Sequence, residues 1–212
     1  MAATGSLVRW FAREIGGGAS LASLDAEAAL AGPGAGGLVL TPYFLGEKTP
    51  VNDPLARGTL VGLHLGHGRG HLFRAVLEGT AFGFAHHAEV LRDLGVRLDR
   101  VNLTGGGSRS ALRRQIIADV LGLPVTHHKH DHGAALGAAF AAGMGTGVFG
   151  SWHAVAGLSA VAGRTEPDPH TAGRYAELYA VYRSLYPALL EQQHTLARLS
   201  AGPGAAEHQG FG

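Results

Sequence analysis

The stretch RVNLTGGGSRSALRRQIIADVLGLPV, residues 100–125, constrains this chain more than any other. An apolar run that stops at three consecutive glycines and passes into helical spacing reads as strand, tight turn and helix. Leu112, Ile116 and Val120 set the inward side of that helix, with Arg113 and Arg114 outward. Gly122 stops it, and PVTHH forms the next short strand. GAALGAAFAAG at 133–143 follows as a helix of small residues, able to approach a neighbour closely. Strand, helix, strand, helix over 100–143 is a βαβα unit with parallel strands, which sets the class as α/β.

A helix that opens directly from a bare turn gathers unpaired N–H groups and the positive end of the helix dipole at one point. Without a Cβ at Gly105, Gly106 and Gly107 the chain can take φ > 0 and let a flat ring or a pyrophosphate lie against it. Ser108 or Ser110 can cap the helix. Taken alone, the turn equally fits a βα connection that needs glycine only for its geometry. No Lys-Ser or Lys-Thr follows, which excludes a Walker P-loop. Gly105, Gly107 and Ser110 only approximate the dinucleotide fingerprint, and no acid ends the next strand.

The rest of the 212 residues reads as one α/β domain over 1–200 with a frayed tail at 201–212. Hydrophobic residues at 46% and charged residues at 16% support a buried core. The 17 basic and 16 acidic side chains are scattered, so nucleic acid is not an expected partner. With no cysteine, disulfides, thiolate metal sites and a Cys nucleophile are excluded. The N-terminal apolar stretch is soon broken by charges, so neither a signal peptide nor a membrane span is expected, and a cytoplasmic setting is. Ser6 to Ile15 forms a helix burying Leu7, Trp10, Phe11 and Ile15. Residues 25–31 form a second helix, GLVLTPYFLG a buried strand, 46–57 a loop and 59–65 a strand. His71 to Leu94 forms a long helix with Leu72, Val76, Ala81, Phe84, Ala88 and Leu91 inward, and Arg174 to Leu199 a final amphipathic one.

GTLVGLHLGHGRGHLFRAVLEG at 58–79, with LTPYFLGEKTPVNDPLARG before it and the glycine turn after it, resembles the C-terminal domain of the FGGY family of carbohydrate kinases. Gly58, Leu60, Gly62, Leu63, His71, Leu72, Ala75, Val76, Leu77 and Glu78 fill the positions of that family's second signature. The resemblance runs from about Gly5 to Pro187. It implies an actin-like, ribonuclease-H-like fold, the C-terminal half of a two-domain kinase closing over ATP, Mg²⁺ and a sugar. PYFLGEKTPVNDP is most similar to the pentulose kinases, such as those acting on xylulose. By the same resemblance Gly5, Gly105, Gly106, Gly107 and Ser110 contact the nucleotide, with Arg9 one turn beyond Gly5.

The resemblance also implies that the catalytic carboxylate and the phosphate loops belong to an N-terminal kinase domain upstream of this chain. No catalytic or metal-binding residue is therefore assigned, and the isolated chain is expected to be inactive. The family's strands that pair beside RVNLTGG lie upstream too, which would leave a strand edge open. A homodimer is compatible with this reading. Two other classes stay open: a nucleotide-binding or interaction module without catalysis, and a nicotinamide-dependent oxidoreductase domain.

Several other residues carry a chemical reading beside a structural one. Asp53 before Pro54 reads as a turn former more than a base. Glu47 and Lys48 are expected to brace their loop or an interface, and Glu78 to make a structural hydrogen bond. HHKHDH at 127–132 has metal-binding residue types, but adjacent loop positions seldom converge on one ion, and Asp131 stands closest to an acid of the family's pattern. His64, His67 and His71 are expected in solvent, and one of His86 and His87 in the core.

Overall fold

The structure is a computed structural model that describes residues 4–129, 133–158 and 160–200. Its axis is α3, Arg69–Asp93, in which every residue from Phe73 to Gly79 is buried. A helix apolar on more than one side must be enclosed by neighbours. Here those are α1 (Thr4–Trp10, continued by a π-helical turn over Phe11–Ile15), α2 (Leu21–Ala31), α4 (Ala111–Leu121) and α6 (Ala172–Ser200). Leu7, Phe11, Leu24, Leu38, Phe73, Val76, Ile116 and Val125 form the main core. A second, aromatic cluster of Tyr43, Phe82, Tyr175 and Tyr182 seals α3 against α6.

Strand β1, Val39–Thr41, pairs antiparallel with β2, Thr59–Val61, with Val39 opposite Val61. Both are shorter than the sequence suggests. Pro42 has no N–H to donate to a ladder, and Gly62 turns away at φ +93°. Gly79 lets β1 lie against α3, since a Cβ there would stand 2.3 Å from the Leu40 carbonyl oxygen.

The second sheet runs in the order β3 (Val101–Leu103), β4 (Val125–His128), β5 (Val161–Thr165). β3 and β4 are parallel, as the βαβ reading requires, and β5 is antiparallel to β4. β3 thus stands at an edge among the described residues. β5 gives little sequence signal, being mostly exposed, with Gly163 packed against the His127 ring. Helix α5, Gly133–Gly145, buries only Phe140, whose ring meets Phe149 at 4.7 Å and Trp152 at 5.7 Å.

Three amphipathic assignments are corrected. In the first helix Leu7, Val8 and Phe11 are buried, whereas Trp10 and Ile15 are exposed at 36% and 45%. Leu91 lies outward near the end of α3. Arg113 and Arg114 point partly inward, because Ile116, Ile117, Ala118 and Asp119 are the buried residues of α4. Among the described residues no helix is long and apolar enough to cross a membrane.

Candidate functional site

The glycine turn closes on itself before α4 begins. The Ser108 amide (3.0 Å) and hydroxyl (2.8 Å) both donate to the Gly105 carbonyl. Gly105 has φ +82°, a conformation glycine adopts freely, and Gly106–Arg109 form one 3-10 turn. The Ser110 hydroxyl then accepts the Arg113 amide at 3.2 Å, which makes Ser110 the N-cap of α4.

Against this turn lies a recess of about 240 Å³, open at its mouth. Thr4, Gly5 and Val8 of α1 form one wall, Leu77, Thr80 and Phe84 of α3 another, and Arg113 and Ile117 of α4 a third, while Leu103 through Gly107 form the lip. An apolar hollow with a few polar groups at its edge suits a small organic ligand or part of one. The structure therefore brings together Gly5, Gly105, Gly106 and Gly107, four of the residues singled out in sequence and separated by about a hundred positions. Ser110 is not among the lining residues; its hydroxyl is engaged in capping.

The glycines of the lip differ in what they need. A Cβ added at Gly105, Gly106 or Gly107 would meet no atom within 4 Å. Only Gly105 has positive φ. Gly106 and Gly107 thus have neither a backbone nor a packing reason within the described chain to lack a side chain. At Gly79 the protein's own backbone fills the space; at the lip the space is open.

Arg113 escapes the sequence reading, which sets it outward. Its side chain is only 13% exposed, its guanidinium lies 5.8 Å from the centre of the Phe73 ring, and it reaches Asp25 at 3.5 Å. Its Nε is buried without a hydrogen-bond partner. The available signal was spacing, since Arg113 and Ile117 stand four apart on one side of α4.

The other titratable candidates serve the fold. Glu78 Oε1 accepts from Arg74 Nε (2.7 Å), the Gly34 amide (2.9 Å) and the Tyr175 hydroxyl (2.9 Å). Burial raises the Glu78 pKa against the pull of the Arg74 guanidinium. Asp53 makes the expected turn, accepting the Leu55 amide at 2.8 Å, and is also held by the Tyr186 hydroxyl at 2.8 Å and His194 Nε2 at 2.7 Å. Burial alone would raise its pKa, but these donors hold it below the usual range. Glu47 exchanges backbone hydrogen bonds with Asp53 at 2.8 and 2.7 Å and accepts the Lys48 amide, so it braces the loop.

His86 is the core histidine, paired with Arg183, and burial followed by that guanidinium lowers its pKa to about 4. His67 and His71 are half-buried rather than solvated: the His64 and His67 ring centres lie 3.7 Å apart with the planes tilted by 39°, and those of His67 and His71 lie 5.3 Å apart. His127 and His128 belong to β4, while His130, Asp131 and His132 lie outside the described residues. Among the described residues no group of three His, Cys, Asp or Glu side chains could hold a metal ion.

This arrangement, a glycine lip beside α3 and α4 on a partly parallel sheet, is that of the actin-like ATPase fold, and solved sugar kinases share it. The xylulose kinase from Rhodospirillum rubrum superposes with a TM-score of 0.82 at 43% identity, covering 92% of this chain and 40% of that one. A ligand-bound xylulose kinase from Lactobacillus acidophilus gives 0.83 at 26% identity, over 91% of this chain and 39% of that one. In sequence, residues 1–146 match the C-terminal domain of the FGGY family of carbohydrate kinases. The chain belongs to that family. A xylulose kinase of Lactococcus lactis is 30% identical over 201 residues, which is 93% of this chain and 40% of that protein. A glycerol kinase of Gloeobacter violaceus is 41% identical over 152 residues, 70% of this chain and 30% of that protein. The chain spans 31–40% of the length of the xylulose kinases it matches.

Proposed function

We propose that this chain is the nucleotide-binding half of an ATP-dependent sugar kinase acting in the cytoplasm on a pentulose such as xylulose. The carrying observation is that Gly106 and Gly107 are bare without internal cause and face a recess that Gly5 closes from the other side. The purine and ribose rest on Gly105–Gly107 against the apolar wall of Val8, Leu77, Phe84 and Ile117. Ser110 contributes as the cap that fixes the amino end of α4 beside them. The substrate follows from the kinases that the chain resembles over most of its length, two of them named xylulose kinases in solved structures.

The chemistry asked of this chain is to bind the nucleotide, orient it and exclude water. Phosphoryl transfer needs alignment and charge stabilisation more than covalent work by the protein. Mg²⁺ would arrive on the phosphates of ATP, since the described residues offer no cluster of three ligands for it. Among the described residues no carboxylate lines the recess, so no base for the sugar hydroxyl is assigned to it.

Incubating the chain with ATP, Mg²⁺ and xylulose, while following ATP binding by calorimetry and ADP release by a coupled assay, tests the reading. Binding without ADP release is expected. Release of ADP by this chain alone would contradict the division of labour, and absence of ATP binding would contradict the site.

A further inference from the structure

The nucleotide reading assigns the lip of the recess and leaves open what holds its shape. Gly105, Gly106 and Gly107 have no side chain with which to fix a conformation, and glycine loses more backbone freedom on ordering than any other residue. A ligand that had to order such a turn would bind more weakly for it, because the binding-competent shape would be only a fraction of the free population. A lip that binds well is therefore one held in place beforehand by its neighbours.

Ser108 and Arg114 are placed to do this. The Ser108 hydroxyl and amide both donate to the Gly105 carbonyl, at 2.8 and 3.0 Å, which closes the chain across Gly106 and Gly107. Ser108 is 5% exposed, and its own carbonyl accepts from Arg114 Nη1, so the closed turn is tied to the opening of α4 by a charge-assisted bond. Neither residue is there for the helix. Ser110 already supplies the cap of α4, and a cation in the opening turn of a helix is opposed by the dipole. Neither residue lines the recess, so both stand behind the lip.

We propose that Ser108 and Arg114 are positioning residues for the nucleotide: they hold Gly105–Gly107 in the conformation that meets the ligand and do not touch it themselves. This inference rests on the nucleotide reading above and adds to it the residues that preorganise the lip.

The test is NMR of the isotope-labelled 212-residue chain and of Ser108→Ala, Arg114→Met and Arg114→Lys, with folding checked by urea unfolding. In the free wild type the Gly106 and Gly107 amides should show order parameters near the ~0.85 of rigid backbone, and values below about 0.6 would overturn the inference. In Ser108→Ala and Arg114→Met these order parameters should drop. Affinity for ATP and for adenosine should fall alike, about fivefold, equivalent to ~1 kcal/mol. Adenosine has no phosphate, so a loss confined to ATP would mean that Arg114 acts on the phosphates directly, which would overturn the positioning role. Arg114→Lys keeps a donor for the Ser108 carbonyl and should lose less than Arg114→Met; an equal loss would remove Arg114 from the clamp. Affinities unchanged in Ser108→Ala and Arg114→Met would overturn the inference while leaving the nucleotide site standing. If the wild type bound neither ligand, the site itself would fail, and this inference with it. Should the variants misfold, the wild-type order parameters still decide.

Discussion

Substituting two glycines of this chain should give opposite phenotypes, and the contrast separates architecture from site. At Gly79 an added Cβ would stand 2.3 Å from the Leu40 carbonyl oxygen and 3.1 Å from its carbonyl carbon. Neither atom is the tip of a flexible side chain, so β1 and α3 must part. Overpacking of this kind costs about 1–3 kcal/mol or more. Alanine's better helix propensity returns ~1 kcal/mol. A 2.3 Å approach to a backbone oxygen sits at the upper end of that range, so Gly79→Ala should lower stability by a net ~2 kcal/mol, and its nucleotide affinity should stay near wild type wherever the domain remains folded. At Gly106 nothing lies within 4 Å of the added carbon, and φ is not positive. Gly106→Val should thus shift stability by about 0.5 kcal/mol or less, as surface changes do. Its branched side chain would instead occupy the recess and weaken ATP binding at least tenfold, ~1.4 kcal/mol or more. Urea unfolding and calorimetric titration of both variants provide the readout. A Gly106→Val chain that binds ATP normally, or one that loses as much stability as Gly79→Ala, would refute the reasoning.

Two further outcomes follow from the buried polar groups. Glu78→Ala leaves the Arg74 guanidinium, whose side chain is 5% exposed, without its carboxylate. Breaking a buried pair from one side costs about 3–5 kcal/mol, so urea unfolding should show a loss in that range, and a loss under ~1 kcal/mol would contradict it. His86 titrates at about 4 in the folded chain against 6.5 when free of the fold, because burial and Arg183 disfavour its charge. The unfolded chain therefore takes up this proton first as pH drops, and stability present above about pH 6.5 declines toward pH 4, by at most ~1.4 kcal/mol per pH unit. Unfolding midpoints measured from pH 7 to 4 should fall less steeply for His86→Gln than for wild type; parallel curves would remove His86 from the account.

The parts of this fold legible in sequence are those where one physical demand acts locally. The turn at Gly105–Gly107, the parallel β3 and β4, and the stop at Gly122 follow from glycine freedom and helical spacing. Asp53 was readable as a turn former because its side chain bonds an amide two residues on. Its ties to Tyr186 and His194, more than 130 residues away, were not, since no local pattern encodes a partner at that distance. Strand β5 was missed because its exposed residues and Gly163 lack the alternation of a half-buried strand. Arg113 was misplaced because charge suggests solvent, whereas the Phe73 ring and the recess draw it inward. The gathering of Gly5 with Gly105–Gly107 was available only through family resemblance.

The most direct test is a crystal structure of the chain grown with ADP and Mg²⁺. The base should lie in van der Waals contact, within about 4 Å, of the Cα atoms of Gly105–Gly107, with Gly5 across from it. Density for ADP elsewhere on the molecule, or a recess closed by the protein's own side chains with no nucleotide bound, would contradict it.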